Sequence, residues 1–130
     1  MSQRVLIHDE DATTLALLSN ALLNAGYEVQ GVEEIESAFD EARRFKPALM
    51  IVATDLSGAT AAGCLKEIRD SPELGRIPII FLSARGDVQC REMVRQCGAA
   101  AYLSKPICVQ DLITEIRRQL NPGAHAMYIM

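Results

Sequence analysis

The sequence predicts an α/β fold in which helices cover both faces of a parallel sheet. Five short apolar runs alternate with five stretches that have helical periodicity, and the links between them are short. Such alternation predicts parallel strands joined by right-handed helical crossovers. The 130 residues, 49% of them hydrophobic, fit one domain with its own core.

The first half of the chain contains three predicted strands and two predicted helices. Arg4–His8 is a short β-branched run that predicts a buried strand, and good helix formers with leucines on one stripe predict the helix Ala12–Ala25. Apolar and polar residues alternate over Tyr27–Val32, which is typical of a more exposed strand. Apolar residues at helical spacing predict the helix Glu33–Phe45. The continuous run ALMIVA predicts that Ala48–Ala53 is a central strand buried on both faces.

The second half of the chain contains two predicted strands, each preceded by a predicted helix, and ends with one further helix. A helix over Thr60–Asp70 precedes the buried strand Ile77–Leu82, whose sequence is IPIIFL. A helix over Asp87–Cys97 precedes the short strand Ala100–Ser104. The helix Val109–Leu120 has one apolar face and ends the domain. We therefore expect a domain over residues 1–121 and, over residues 122–130, a tail that is frayed or was added in cloning.

Composition limits the classes of function. The net charge of −4 argues against direct nucleic-acid binding and against attachment to anionic membranes. No apolar run approaches the ~18–20 residues that a membrane span needs, and the chain does not begin with a signal peptide. A cytoplasmic protein is expected, with its four cysteines (Cys64, Cys90, Cys97 and Cys108) as buried, reduced thiols.

Polar side chains follow several of the predicted strands. In parallel α/β sheets, ligands bind beyond the carboxyl ends of the strands. Asp9 and Glu10 follow the first strand, Ser83 the fourth and Lys105 the fifth. Each has an ordinary alternative: a solvated loop at a helix N-terminus, a turn cap or a surface lysine. Together they predict a site for Mg²⁺ and a phosphoryl group.

Four sequence motifs of the chain resemble those of a known family. VLIHDED, KPALMIVATDLSG, IPIIFLSARGD and GAAAYLSKPI, spread over Arg4 to Leu120, resemble receiver domains of two-component response regulators of the chemotaxis-regulator type. The resemblance implies a flavodoxin-like (βα)5 three-layer sandwich with strand order 2-1-3-4-5. It also implies a non-enzymatic signalling module that takes a phosphoryl group from a histidine kinase onto a strand-three aspartate, with Mg²⁺ bound.

The resemblance assigns roles to individual positions. Asp9, Glu10 and the backbone carbonyl of Asp55 match the metal ligands. Ser83 matches the switch residue that contacts the phosphoryl group, and Lys105 the lysine that pairs with it. The remaining matches are Tyr102, the aromatic switch residue, and Lys105–Pro106, a peptide bond that is usually cis.

One position departs from the family pattern. Ala53 stands where the family has its phospho-acceptor aspartate, and a methyl group is neither a nucleophile nor a metal ligand. Asp55 lies two residues on, up to ~6–7 Å away along a strand, which is too far to substitute well. We therefore expect weak Mg²⁺ binding and a Tyr102 ring that points mostly outward. Whether Ala53 is natural or engineered stays open.

Two functions compete at this point, with a third more remote. The chain is a non-phosphorylatable receiver locked in the inactive-like state, or it is a phosphorylation-independent interaction module. A flavodoxin-like cofactor carrier is opposed by the lack of tryptophan and of a glycine-rich loop after the first strand. Expected partners are a histidine kinase or phosphotransfer protein, and an output protein on the face formed by Asp87–Cys97, the fifth strand and the last helix. A homodimer is also compatible with this face.

Overall fold

The computed structural model describes residues 3–53, 66–83 and 98–121. Within these ranges the strands form one parallel sheet in the order β2-β1-β3-β4-β5, which confirms the predicted fold class. The strands are β1 (Arg4–Asp9), β2 (Glu28–Val32), β3 (Leu49–Ala53), β4 (Ile79–Ser83) and β5 (Ala101–Ser104). The helices are α1 (Ala12–Asn24), α2 (Ile35–Phe45) and α3 (Val109–Leu120).

Two predicted helices fall largely outside these ranges. Residues 66–70 are helical and agree with the end of the helix predicted over Thr60–Asp70. Its earlier part, the predicted helix Asp87–Cys97 and the tail over residues 122–130 lie outside the described residues.

Strand alternation divides the core between the two faces of the sheet. Every residue of β3 and β4 is buried, as continuous apolar runs predict. Because successive side chains point to opposite faces, Leu6 and Phe81 pack under α2 whereas Ile7 and Leu82 pack on the other face. The helices add these buried residues: Ile35, Ala38 and Ala42 from α2, Leu18 and Leu22 from α1, and Leu112, Ile113 and Ile116 from α3. Burying each large aliphatic side chain contributes about 1.5–3 kcal/mol.

Two observations relate to the expectations about membrane spans and cysteines. No helix among residues 3–53, 66–83 and 98–121 is both long and apolar enough to cross a membrane. Cys108 is exposed, so the expectation of buried thiols is wrong at this position. It occupies the N-cap of α3, where the chain enters the helix at the surface. The other cysteines lie outside the described residues.

Arg69 joins three chain segments at the amino ends of β4 and β5. Its guanidinium donates hydrogen bonds to the carbonyls of Gly75 (3.2 Å), Ile77 (2.7 Å) and Gly98 (2.7 Å). Ile77 leads into β4 and Gly98 leads into β5. Arg69 therefore holds both connections against the helical segment 66–70, at the edge of the sheet opposite to the strand ends that carry the predicted site.

We expect Arg69→Met to lower the free energy of unfolding by about 2–3 kcal/mol, because three carbonyls lose a charged donor. Urea denaturation followed by circular dichroism measures this change. Arg44→Met is the matched control, since the Arg44 side chain is 74% exposed and its replacement should change stability by no more than about 0.5 kcal/mol. Equal stability of the two variants would contradict the role given to Arg69.

Candidate functional site

The carboxyl ends of the strands bring the predicted site residues to one edge of the sheet. Asp9, the last residue of β1, is the in-register partner of Ala53 at the end of β3. Ser83 ends β4 and pairs with Ser104 of β5. The backbone N–H of Lys105 donates to the Ser83 carbonyl at 2.9 Å, which carries Lys105 back over this edge. The clustering of Asp9, Ser83 and Lys105 around position 53 is therefore observed.

Asp9 has both of its carboxylate oxygens occupied by donors from the protein. Its Oδ2 accepts from Lys105 Nζ at 3.1 Å, and its Oδ1 accepts from the Asp11 backbone N–H at 2.9 Å. The side chain is 3% exposed, and that of Lys105 is 20% exposed. Because an unpaired buried carboxylate is strongly disfavoured, Lys105 stabilises Asp9 in this position.

The three consecutive acids that begin with the last residue of β1 have different roles. Asp9 is buried in the site, whereas Glu10 is exposed to solvent. Asp11 is the N-cap of α1, and its carboxylate accepts from the Thr13 backbone N–H (3.3 Å) and from the Thr14 hydroxyl (2.6 Å). The hydrogen bond from Thr14 holds the pKa of the Asp11 carboxyl below its ordinary value. The alternative of a helix N-terminus thus applies to Asp11.

The other predicted site residues differ in their burial, and one of them lies outside the described residues. Ala53 is 1% exposed, and Ser83 is fully buried. The Lys105–Pro106 peptide bond is cis, the conformation that the resemblance implies. Tyr102 is half-buried and packs against the apolar cluster under α2. The ring thus covers some apolar surface at the edge strand β5 without being fully buried, and the expectation of a mostly outward ring stays a prediction. Asp55 lies outside the described residues.

His8 belongs to this region although the sequence analysis assigned it no role. It is fully buried beside Asp9, and neither ring nitrogen has a hydrogen-bond partner in the described part of the chain. Burial lowers the pKa of the imidazole and outweighs the opposing effects of Asp9 and Glu36, while Lys105 lowers it further. His8 is therefore neutral at pH 7. Its only sequence signal is a polar residue inside an apolar strand.

The described residues do not fit a Mg²⁺ ion. Magnesium prefers near-octahedral oxygen coordination with one or two carboxylates. Both oxygens of Asp9 are already bonded, Glu10 is exposed and residue 53 has no oxygen in its side chain. In the ranges 3–53, 66–83 and 98–121, no three acidic, histidine or cysteine side chains converge as a metal site would need. Weak Mg²⁺ binding stays a prediction.

Comparison with known proteins agrees with this geometry. Residues 5–117 match the family model of the response regulator receiver domain. The polar-differentiation response regulator DivK of Brucella anthropi is 30% identical over 121 residues, which cover 93% of this chain and 98% of that protein. The chain belongs to the response regulator receiver domain family.

Solved structures give the same fold. A putative response regulator from Chloroflexus aurantiacus is 30% identical, with a TM-score of 0.84 and coverage of 92% of this chain and 98% of that one. The chemotaxis protein CheY4 of Vibrio cholerae also superposes with a TM-score of 0.84, over 92% of this chain and all of its own (100%). At 22% identity it supports the fold alone. The family assignment favours a signalling module of two-component systems over a flavodoxin-like cofactor carrier.

The buried imidazole of His8 should make stability depend on pH. Its pKa is lowered in the folded chain, so below the ordinary value of 6.5 the unfolded chain binds more protons. Stability should therefore decrease as pH falls through 6.5, by at most about 1.4 kcal/mol per pH unit. Urea denaturation between pH 8 and pH 5 measures this slope.

His8→Leu should remove the histidine part of that slope and should be at least as stable as the parent at pH 8. His125→Leu, in the tail outside the described residues, is the control and should leave the slope unchanged. An unchanged slope in His8→Leu would show that another group is responsible.

Lys105→Met should lower the free energy of unfolding by about 2–4 kcal/mol, since Asp9 would stay buried without its partner. The double variant Asp9→Asn, Lys105→Met should recover part of this loss, because it removes the buried charge as well. A double-mutant cycle in urea measures the coupling. Additive effects of the two substitutions would contradict a stabilising Asp9–Lys105 ion pair.

Proposed function

We propose that this chain is a two-component receiver module that cannot accept a phosphoryl group at position 53 and that rests in the unphosphorylated, inactive-like conformation. The observation that carries this proposal is the position of Ala53. It ends β3 beside Asp9, in the place where the family resemblance puts the acceptor aspartate. Formation of an acyl phosphate needs a carboxylate there, and alanine has none.

The neighbouring groups support a resting site that does not transfer phosphate. In the family that the chain resembles, the residues that match Ser83 and Lys105 contact a phosphoryl group attached to the residue that matches position 53. Here the Lys105 ammonium is bonded to Asp9, at 3.1 Å. Asp9 is a weaker nucleophile than a free carboxylate, because its Oδ1 accepts a hydrogen bond from the Asp11 N–H and its Oδ2 accepts one from Lys105.

A phosphorylation-independent interaction module is the second candidate. The buried Asp9–Lys105 ion pair favours it, because the two side chains neutralise each other's charge. The two candidates differ in whether an aspartate at position 53 restores phosphorylation. If the chain is a non-phosphorylatable receiver, the site retains every group that phosphorylation needs except the acceptor carboxylate. If it is a phosphorylation-independent module, the site no longer supports phosphorylation even with an aspartate at position 53.

A groove next to Lys105 supports a histidine kinase or phosphotransfer protein as the partner. It has a volume of about 570 Å³ and lies between α1 and the chain after β5. Apolar side chains dominate its lining, and two of them are unusually exposed: Leu17 (66%) and Val109 (38%). Exposed apolar surface beside the site is typical of a docking surface. We propose that the output partner binds the face formed by β5, α3 and Asp87–Cys97, the last of which lies outside the described residues.

Ala53→Asp should gain a phosphoryl mass increment when it is incubated with phosphoramidate and Mg²⁺, whereas the parent chain should gain none at this site. Intact-protein mass spectrometry measures the increment. Ala53→Asn is the matched control, since it has similar size without a nucleophilic carboxylate. No increment in Ala53→Asp would favour the interaction module. An acid-labile increment on the parent chain would overturn the proposed function.

In the Ala53→Asp background, Leu17→Glu should slow phosphotransfer from a phosphorylated histidine phosphotransfer domain about tenfold or more, because a charge would enter an apolar interface. Labelling by phosphoramidate needs no protein contact and should be unchanged. Leu23→Glu is the matched control: Leu23 is 52% exposed on the same helix but does not line the groove. Equal transfer rates for both variants would exclude this surface as the docking site.

A further inference from the structure

Helix α1 differs from α2 and α3 in the chemistry of its exposed surface. Its sequence, ATTLALLSNALLN, contains no charged residue, although 23% of the whole chain is charged. The exposed surfaces of the other two helices carry charges, such as Arg43 and Arg44 in α2 and Arg117 and Arg118 in α3. Charged and polar residues are typical of a helix face that is covered only by water. The neutral surface of α1 is therefore unusual for a face that serves solvation alone.

The exposed residues of α1 form one stripe along the whole helix, here called the α1 stripe. It consists of Thr13, Ala16, Leu17, Asn20, Leu23 and Asn24. Residues three or four positions apart share one face of a helix, and this spacing joins all six. Leu17 is 66% exposed and Leu23 is 52% exposed, whereas Leu18 and Leu22 are buried against the sheet. Large apolar side chains on an exposed neutral face are typical of an interaction surface.

We propose that the α1 stripe binds a second copy of this chain, in a two-fold symmetric pair of antiparallel α1 helices. A two-fold interface brings the same surface of both copies into contact, so that surface must be complementary to itself. Each copy has a net charge of −4, and like charges that face each other across an interface are costly. On the neutral α1 stripe two copies can meet without that cost. The inference goes beyond the proposed function and does not depend on residue 53.

The spacing of the α1 stripe fits an antiparallel pair centred on Asn20. Leu17 and Leu23 each lie three residues from Asn20, in opposite directions, so Leu17 of one copy is level with Leu23 of the second copy. Ala16 and Asn24 are related in the same way at four residues, so a small side chain is level with an amide. The two Asn20 amides meet at the symmetry axis, where each can donate to and accept from the other. The stripe is therefore complementary to itself in both size and hydrogen bonding.

The extent of the α1 stripe favours a second copy over a phosphotransfer protein. A phosphotransfer protein needs contacts near residue 53, at the carboxyl edge of the sheet, where α1 begins. Leu23 lies about 9 Å further along the helix than Leu17, and it does not line the groove next to Lys105. The stripe thus continues beyond the region that phosphotransfer requires. A single helix pair buries less area than a standard interface of about 1,600 Å², so we expect a weak dimer.

Sedimentation velocity of the full chain under reducing conditions, between about 10 µM and 1 mM, tests the pairing. The weight-average mass of the parent should rise with concentration, from that of one chain towards twice that value. Leu23→Glu and Asn20→Asp should each weaken the association about tenfold or more, because like charges would enter a neutral interface. Thr114→Glu is the matched control: it adds a carboxylate at an exposed position of α3 and should associate as the parent does.

A charge-swap experiment tests the antiparallel arrangement. Leu17→Lys and Leu23→Glu should each associate weakly alone, since each pair of identical copies brings two like charges to the interface. An equimolar mixture should associate several-fold more tightly than either variant alone, because the new lysine of one copy is level with the new glutamate of the second copy. A mixture that associates no better than its components would overturn the antiparallel arrangement.

Three further results would overturn the proposal. The first is a parent chain that stays monomeric at about 1 mM. The second is association that Leu23→Glu leaves unchanged, because the copies would then meet through another face. The third is equal weakening by Thr114→Glu, which would show general charge repulsion instead of a specific pair. Leu23→Glu leaves the groove next to Lys105 intact, and transfer rates are measured at low concentration, where the weak pair is dissociated. Failure of the pairing and failure of the proposed function are therefore distinguishable.

Discussion

The buried ion pair between Asp9 and Lys105 is the interaction on which the candidate site depends. The two residues are 96 positions apart, so the pair exists only when β1 and β5 are correctly placed in the same sheet. An ion pair of this kind gains little net energy, because desolvation offsets most of the attraction. Its effect is selective: any arrangement that buries Asp9 without Lys105 is strongly disfavoured. The pair therefore specifies how the strand ends meet.

The buried central strands of the sheet fix the positions of Asp9 and Lys105 relative to each other. Strands β3 and β4 are buried along their whole lengths and separate β1 from β5. Their side chains fill both faces, and close-packed interiors deform little. The carboxyl ends of the strands consequently keep fixed positions relative to one another. Arg69 performs a comparable function at the opposite edge, where it binds the carbonyls of Ile77 and Gly98.

The sequence was sufficient to predict the fold and the placement of Asp9, Ser83 and Lys105 at one edge of the sheet, but not the hydrogen bonds among the site residues. Continuous apolar runs identified β3 and β4, and the rule that ligands bind at strand ends grouped Asp9, Ser83 and Lys105 correctly. The apolar runs and the residues that follow them can both be recognised from local sequence patterns. The division of the acid run depends on tertiary geometry: Asp9 is buried whereas its neighbour Glu10 faces water. The sequence alone does not indicate which of three adjacent acidic residues is buried.

His8 and Tyr102 show the same limit for side-chain environment. The apolar run that contains His8 predicts a strand correctly, yet it does not indicate that the imidazole lacks a partner among the described residues. The family resemblance identifies Tyr102 but does not determine how far its ring is buried, because that depends on the packing of the edge strand. Local periodicity predicts where a side chain lies along an element, and packing determines what surrounds it.

Ala53 and the Asp9–Lys105 pair are connected by charge balance. A carboxylate at residue 53 would lie beside Asp9, since the two positions are in-register partners on adjacent strands. Two buried carboxylates would then compete for one ammonium, and like charges this close disfavour each other. A divalent cation would relieve that repulsion. With alanine at residue 53, the site as formed by the described residues contains one buried carboxylate and one ammonium, and they neutralise each other. The charge of Asp9 is therefore balanced within the protein by Lys105.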